Sequence, residues 1–360
     1  MGIALGAAVV LGSGAGLYVG ILRPDGAHAP SASSLVPDIA TVDPCGLAAT
    51  AAFDGLPAPT ADSNGAAIPQ RHLRQEARAL NFNECEVVVN GVKVQVNHGR
   101  AVPTAELAPD RFTLSSQGRL HIAKEKRPAS ASQCQQYVYL DNGTGVTVTA
   151  RANGLVVDRT GRPVAGVDVC GTADRVTSAV LTTVESRRPP RIHYPPDSLG
   201  SFDPCGMLGL AVADALRNPH GDISEGGHGC IWGTVGGTDS PWADLRLTLE
   251  KPDTWRALLK QPAFGGSRAT VAGRDSIVTR PTLDVPALYC TVETAGKTWD
   301  PWPGFQIPER PVIPGAAPAT RSLTEIVVIT VFLPSGTVEQ ACQRAQAFAA
   351  KLWPTLPRPA

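Results

Sequence analysis

One short segment occurs twice in the chain, and each copy begins a cysteine framework. Val42-Asp43-Pro44-Cys45-Gly46-Leu47 recurs 160 residues later as Phe202-Asp203-Pro204-Cys205-Gly206-Met207. Both read as helix starts. Asp is a strong N-cap, Pro at the first helical position gives up an N–H the helix does not use, and an apolar residue precedes each cap. The other six cysteines fall into the same two series. Cys85 and Cys230 open strand-like runs, Cys134 and Cys290 lie in strand-like segments, and Cys170 and Cys342 open final helices over 173–184 and 340–352. Four cysteines per half, in the same order of local structure, describe one α+β domain present in tandem. Each copy is expected to be an antiparallel sheet with helices packed on one face. Eight cysteines allow 105 connectivities, so spacing alone decides nothing. The repeat predicts pairing inside each half: Cys45–Cys85, Cys134–Cys170, Cys205–Cys230 and Cys290–Cys342.

The strands are marked by their turns. Residues 86–89 and 92–96 flank Asn90-Gly91, a pair suited to the left-handed φ values of a two-residue hairpin turn. Residues 137–140 and 146–150 flank a longer hairpin loop. Residues 155–158 and 164–169 read as further strand around a Thr160-Gly161-Arg162-Pro163 turn. The repeats are expected over 43–184 and 202–355. A basic, Pro-rich linker over 185–201 joins them, and an Ala/Ser/Pro-rich flexible stalk over 24–42 precedes them.

An even number of cysteines without any C-x-x-C pair argues for disulfides in an oxidising compartment and against thiolate zinc. Residues 3–22 are uncharged and mostly apolar. At 1.5 Å per residue they would just cross a hydrocarbon core of about 30 Å. Residues 1–23 are therefore expected to be a single-pass anchor, with a cleaved signal as the alternative. Ala27-His28-Ala29 offers a cleavage site, but Pro30 obstructs it. The expected location is the cell membrane, with the folded part extracytoplasmic. Thirty-two basic and 32 acidic residues leave no surplus positive charge, which excludes nucleic acid as an expected partner.

The Asp-Pro-Cys starts, together with Gly229-Cys230-Ile231-Trp232, carry a resemblance. The sequence resembles a family of exported actinobacterial domains of unknown function that have an N-terminal Asp-Pro-Cys helix and a later Gly-Cys-x-Trp strand. Its layout is distantly similar to the extracellular sensor domains of mycobacterial serine/threonine kinases. The second copy keeps both motifs; the first has Cys85-Glu86-Val87 and lacks the Trp. The resemblance implies an envelope-facing α+β module on a lipoprotein or single-span anchor, and brings no catalytic chemistry with it.

No nucleophile elbow, zinc-protease helix, Walker A loop or dinucleotide fingerprint occurs. The best metal-like grouping is His220, Asp222, Glu225 and His228, which also reads as a polar Gly-rich loop; no metal and no cofactor is expected. The six tryptophans all lie in the second copy. Trp299, Trp302 and Phe305 sit in a Pro-rich insertion over 297–321 that the first copy lacks. Aromatics on a Pro-stiffened surface loop give large contact area at low ordering cost, so these three are the candidate ligand or partner contacts. The expectation is a non-catalytic, membrane-anchored binding or accessory protein of an actinobacterial envelope, its partner an unidentified protein or envelope ligand. A secreted hydrolase or metal-dependent enzyme of another type, and a structural spacer, are the alternatives.

Overall fold

The computed structural model describes residues 35–358 except 37, 49, 63, 69–75, 103, 105–106, 127–129, 213–215, 217–220, 234–239, 263–264, 282–287 and 301–321. The expected span at 3–22 lies outside these residues. Among those described, no helix is long and apolar enough to cross a membrane.

In the first half, α1 (Pro44–Leu47) leads to strands β1 (Glu76–Asn81), β2 (Glu84–Val89), β3 (Val92–Ala101), β4 (Phe112–Gln117), β5 (Leu120–Glu125), β6 (Gln133–Tyr139) and β7 (Thr144–Ala152), and then to α2 (Val169–Ser186). In the second, α3 (Pro204–Val212) precedes β8 (Gly221–Ser224), β9 (Gly229–Trp232), β10 (Trp242–Glu250), α4 (Pro252–Lys260), β11 (Gly266–Val271), β12 (Arg274–Thr279), β13 (Tyr289–Trp299), β14 (Leu323–Phe332) and α5 (Val338–Leu352). The first sheet runs β1-β2-β3-β7-β6-β5-β4, the second β8-β9-β10-β14-β13-β12-β11, and every described pairing is antiparallel. Strand for strand the two orders are the same. The class is α+β in two tandem copies, as the repeat requires.

Local chemistry explains the elements. Asp43 accepts the Cys45 N–H at 2.9 Å and Asp203 the Cys205 N–H at 3.0 Å, so both motifs do cap helices. Asn90 and Gly91 take φ of 48° and 80° in the β2–β3 turn. Val176, Val180 and Val184 recur at helical spacing on α2 and are buried, and Ala341, Ala345, Phe348 and Leu352 do the same on α5. Those faces cover alternating strand residues such as Val94, Val96 and Val148 in the first half and Leu245, Ile329 and Val331 in the second. The four disulfides are Cys45–Cys85, Cys134–Cys170, Cys205–Cys230 and Cys290–Cys342. Each staples a helix to a strand.

Three features depart from expectation. Helix α4 lies on the opposite face of the second sheet, where Trp255 packs with Ile277 and Ile326 as a third layer. Residues 155–169 form a 3-10 turn at Gly154–Val156 and a single bridge from Val157 to Pro163, not a strand. Asp158 accepts the N–H groups of Thr160 and Arg162 and curls that segment, while Asp168 caps α2 through the Gly171 N–H at 2.8 Å. The described end of the supposed stalk is packed, and so is the later part of the supposed linker at Ile192 and Ser198–Gly200. Leu35, Val36, Ala40 and Val42 are buried, as are Ile192, Ser198 and Leu199. The two segments run against each other, with Asp43 N–H donating to Pro190 O at 2.9 Å and Ile192 N–H to Thr41 O at 2.7 Å.

Candidate binding surface at the junction of the two halves

The halves meet through equivalent turns. Counting back from Cys85 and Cys230, the β1–β2 turn at Phe82-Asn83 corresponds to the β8–β9 turn at Gly227-His228. The equivalence extends to the backbone. His98 N–H donates to Asn83 O at 3.0 Å, and Leu247 N–H to His228 O at 2.7 Å. Between the turns the chains approach so closely that a Cβ on Gly99, at φ 80°, would fall 2.1 Å from the Gly226 Cα.

Side chains at this seam have no counterpart in the other copy. Phe82 is fully buried in the core of the second half. Its ring stacks on His228, 4.6 Å between centroids at 25°. Tyr194 packs edge-on to both and donates its hydroxyl to Ala40 O at 2.6 Å. His228 Nε2–H donates to the same carbonyl at 2.8 Å. On the first-half side, buried His98 donates Nε2–H to Val42 O at 3.2 Å. Its Nδ1 has no partner among the described residues. Burial pushes the imidazole pKa down to about 4, against a smaller upward pull from the Val42 carbonyl.

Trp299 ends β13 beside this cluster. It is half-buried, lies edge-on to Tyr194 at 6.0 Å, and donates Nε1–H to Glu325 Oε1 at 2.8 Å. Glu325, near the start of β14, is fully buried. It also accepts the Ser198 hydroxyl, the Leu199 N–H at 3.0 Å and the Lys297 N–H at 3.3 Å. Burial raises its pKa, and the four donors pull in the opposite direction. One carboxylate thus ties the segment between the halves, the end of β13 and the Trp299 indole together. Because Trp299 pairs with Leu323 across the hairpin, it fixes the point from which the insertion departs.

Of the three aromatics expected to make contacts, Trp299 stands half-buried at the root of the insertion, its indole held by Glu325 and Tyr194. Trp302 and Phe305 lie outside the described residues. Four other tryptophans serve the fold: Trp353 is buried and donates to Ser276 Oγ at 3.0 Å, Trp255 packs α4 onto Ile277 and Ile326, Trp242 stacks on Phe332, and Trp232 packs against the core. For the metal-like grouping, His220 is outside the described residues, Asp222 is on β8, Glu225 begins the turn and His228 is committed to Phe82 and Ala40. Among the described residues no three His, Cys, Asp or Glu are grouped to hold a metal. Phe82, Tyr194, His98 and Glu325 were missed by sequence reading. Only Glu325 left a signal, as a lone carboxylate heading an apolar β-branched run. The chain matches no family model, no curated protein and no solved structure.

Proposed function

We propose that the protein is an extracytoplasmic binding or accessory component of an actinobacterial cell envelope. It is held at the membrane by its N-terminal apolar segment and contacts a protein or envelope ligand through Trp302 and Phe305, on the insertion that Trp299 anchors. The observation that carries this reading is the anchoring itself. The aromatic, Pro-rich insertion is rooted in a buried carboxylate hub at the junction of both halves, so its starting point is held in place without ordering cost at the moment of contact. The four disulfides support an oxidising location. The test is cosedimentation of the full-length protein, in detergent, with purified cell-wall fragments. Trp302→Ala is expected to weaken retention about tenfold or more, as loss of one aromatic anchor does, with the melting temperature unchanged. Recovery of the protein in the cytosol with its thiols reduced would overturn the reading.

A further inference from the structure

The outer face of the first sheet carries three side chains that the binding reading does not use. Ser116 on β4 and His121 on β5 are directly opposite each other, and Tyr139 on β6 follows in the same row. Gly118 opens the two-residue turn between β4 and β5 at φ 57°. Gln117 and Leu120 flank that turn as a hydrogen-bonded pair, which makes Ser116–His121 the next, non-hydrogen-bonded pair, where side chains stand closest. The Ser116 hydroxyl lies 3.0 Å from His121 Nδ1, and His121 Nε2 lies 2.5 Å from Asp141 Oδ1. A carboxylate accepts only, so Asp141 holds the proton on Nε2. That leaves Nδ1 as the acceptor for the Ser116 O–H.

Nucleophile, base and orienting carboxylate are thus joined in series, with the two ring nitrogens exchanged relative to the usual serine hydrolase order. The backbone supplies two further parts. Strand β4 is the last in its sheet among the described residues. In a non-hydrogen-bonded pair the backbone N–H and C=O point away from the partner strand, so those of Ser116 and Leu114 face the open edge. An extended substrate can add there as a strand, and the Ser116 N–H is a donor beside its own nucleophile. Leu114 shares the face with Ser116 and, at 46% exposure, is the one exposed large hydrophobic residue among those described.

We propose that Ser116, His121 and Asp141 form an acyl-transfer site that hydrolyses carboxylic esters whose acyl chain lies along Leu114. Ser116 Oγ attacks the ester carbonyl while its proton passes to Nδ1 of His121. The ester C–O bond breaks, and the leaving alcohol takes that proton. Water then attacks the acyl-serine, gives a proton to Nδ1, and the acid departs as Ser116 recovers it. Asp141 positions the imidazole; being exposed, it competes with water for that role and contributes less than His121.

This goes beyond the binding reading and stands in the other half of the chain. The test uses the full-length protein with a fluorophosphonate probe and with p-nitrophenyl butyrate. The expected result is a covalent adduct mapped to Ser116, lost in Ser116→Ala and slowed about a hundredfold in His121→Ala. Ester turnover should fall in parallel, and by about tenfold in Asp141→Asn. All three side chains are at the surface, and unchanged melting curves confirm folding of the variants. No adduct in the parent, or ester turnover that survives Ser116→Ala, would overturn the proposal; the second result would assign the turnover to imidazole alone.

Discussion

Acidification should weaken this protein through His98, and the size of the effect follows from its surroundings. The ring is buried at the seam, gives Nε2–H to Val42 O, and turns its bare Nδ1 toward Gly226, where a Cβ would come within 3.0 Å of it. A proton on Nδ1 would be buried against the backbone of the other half with no acceptor among the described residues. The folded-state pKa is accordingly about 4, against 6.5 for an ordinary imidazole. As pH falls through 6.5 the unfolded chain takes up the proton while the folded one does not. The His98 contribution to stability is therefore complete above pH 6.5, lost progressively below it, and almost entirely lost near pH 4. A difference of about 2.5 units at 1.36 kcal/mol per unit gives roughly 3 kcal/mol in all, of which about 2 kcal/mol is gone by pH 5. The assay is urea unfolding of the oxidised protein at pH 7.5 and pH 5, comparing the parent with His98→Gln, which keeps a donor near the Nε2 position and cannot titrate. The parent should lose about 2 kcal/mol more than the variant between the two pH values. Equal losses would refute the reasoning, because the other six histidines are common to both proteins.

Two further outcomes test the seam. Gly99→Ala should destabilise by more than about 3 kcal/mol in thermal or urea unfolding, since backbone must move on both sides, whereas Gly118→Ala, also at positive φ but with nothing within 4 Å, should cost only about 1–2 kcal/mol. Glu325→Gln should cost about 1–3 kcal/mol in the same assay, because its amide N–H groups must face the donors of Ser198, Leu199, Lys297 and Trp299.

Features that depend on neighbours in sequence were legible before the fold was known. The Asp43 and Asp203 caps, the Asn90-Gly91 turn and the apolar spacing of α2 and α5 are local rules with one outcome each. Disulfide pairing is a long-range property, yet the duplication exposed it, because two copies of one domain must close the same bridges. Elsewhere a helix cap or a longer-range contact overrides the simplest local pattern. Asp168 caps a helix that starts at Val169, so the strand expected over 164–169 does not form. The segments before Cys45 and after Ser186 look like solvated tethers from their Pro and Ala content, but each supplies the other with backbone hydrogen bonds and buries its few apolar residues. The Ser116, His121 and Asp141 grouping is invisible in sequence because only the register of three strands brings it together.

The duplication by itself determined the α+β class, the two sheets with one shared strand order and the four bridges, since these are copied from half to half and governed by local preference. Tertiary structure alone decided how the halves join. The seam is built from residues that were not copied: Phe82 stands where the second half has Gly227, and His98 where it has Leu247. Which of these side chains is buried, stacked or left with a bare nitrogen depends on the other half pressing against it, and no periodicity within either half encodes that.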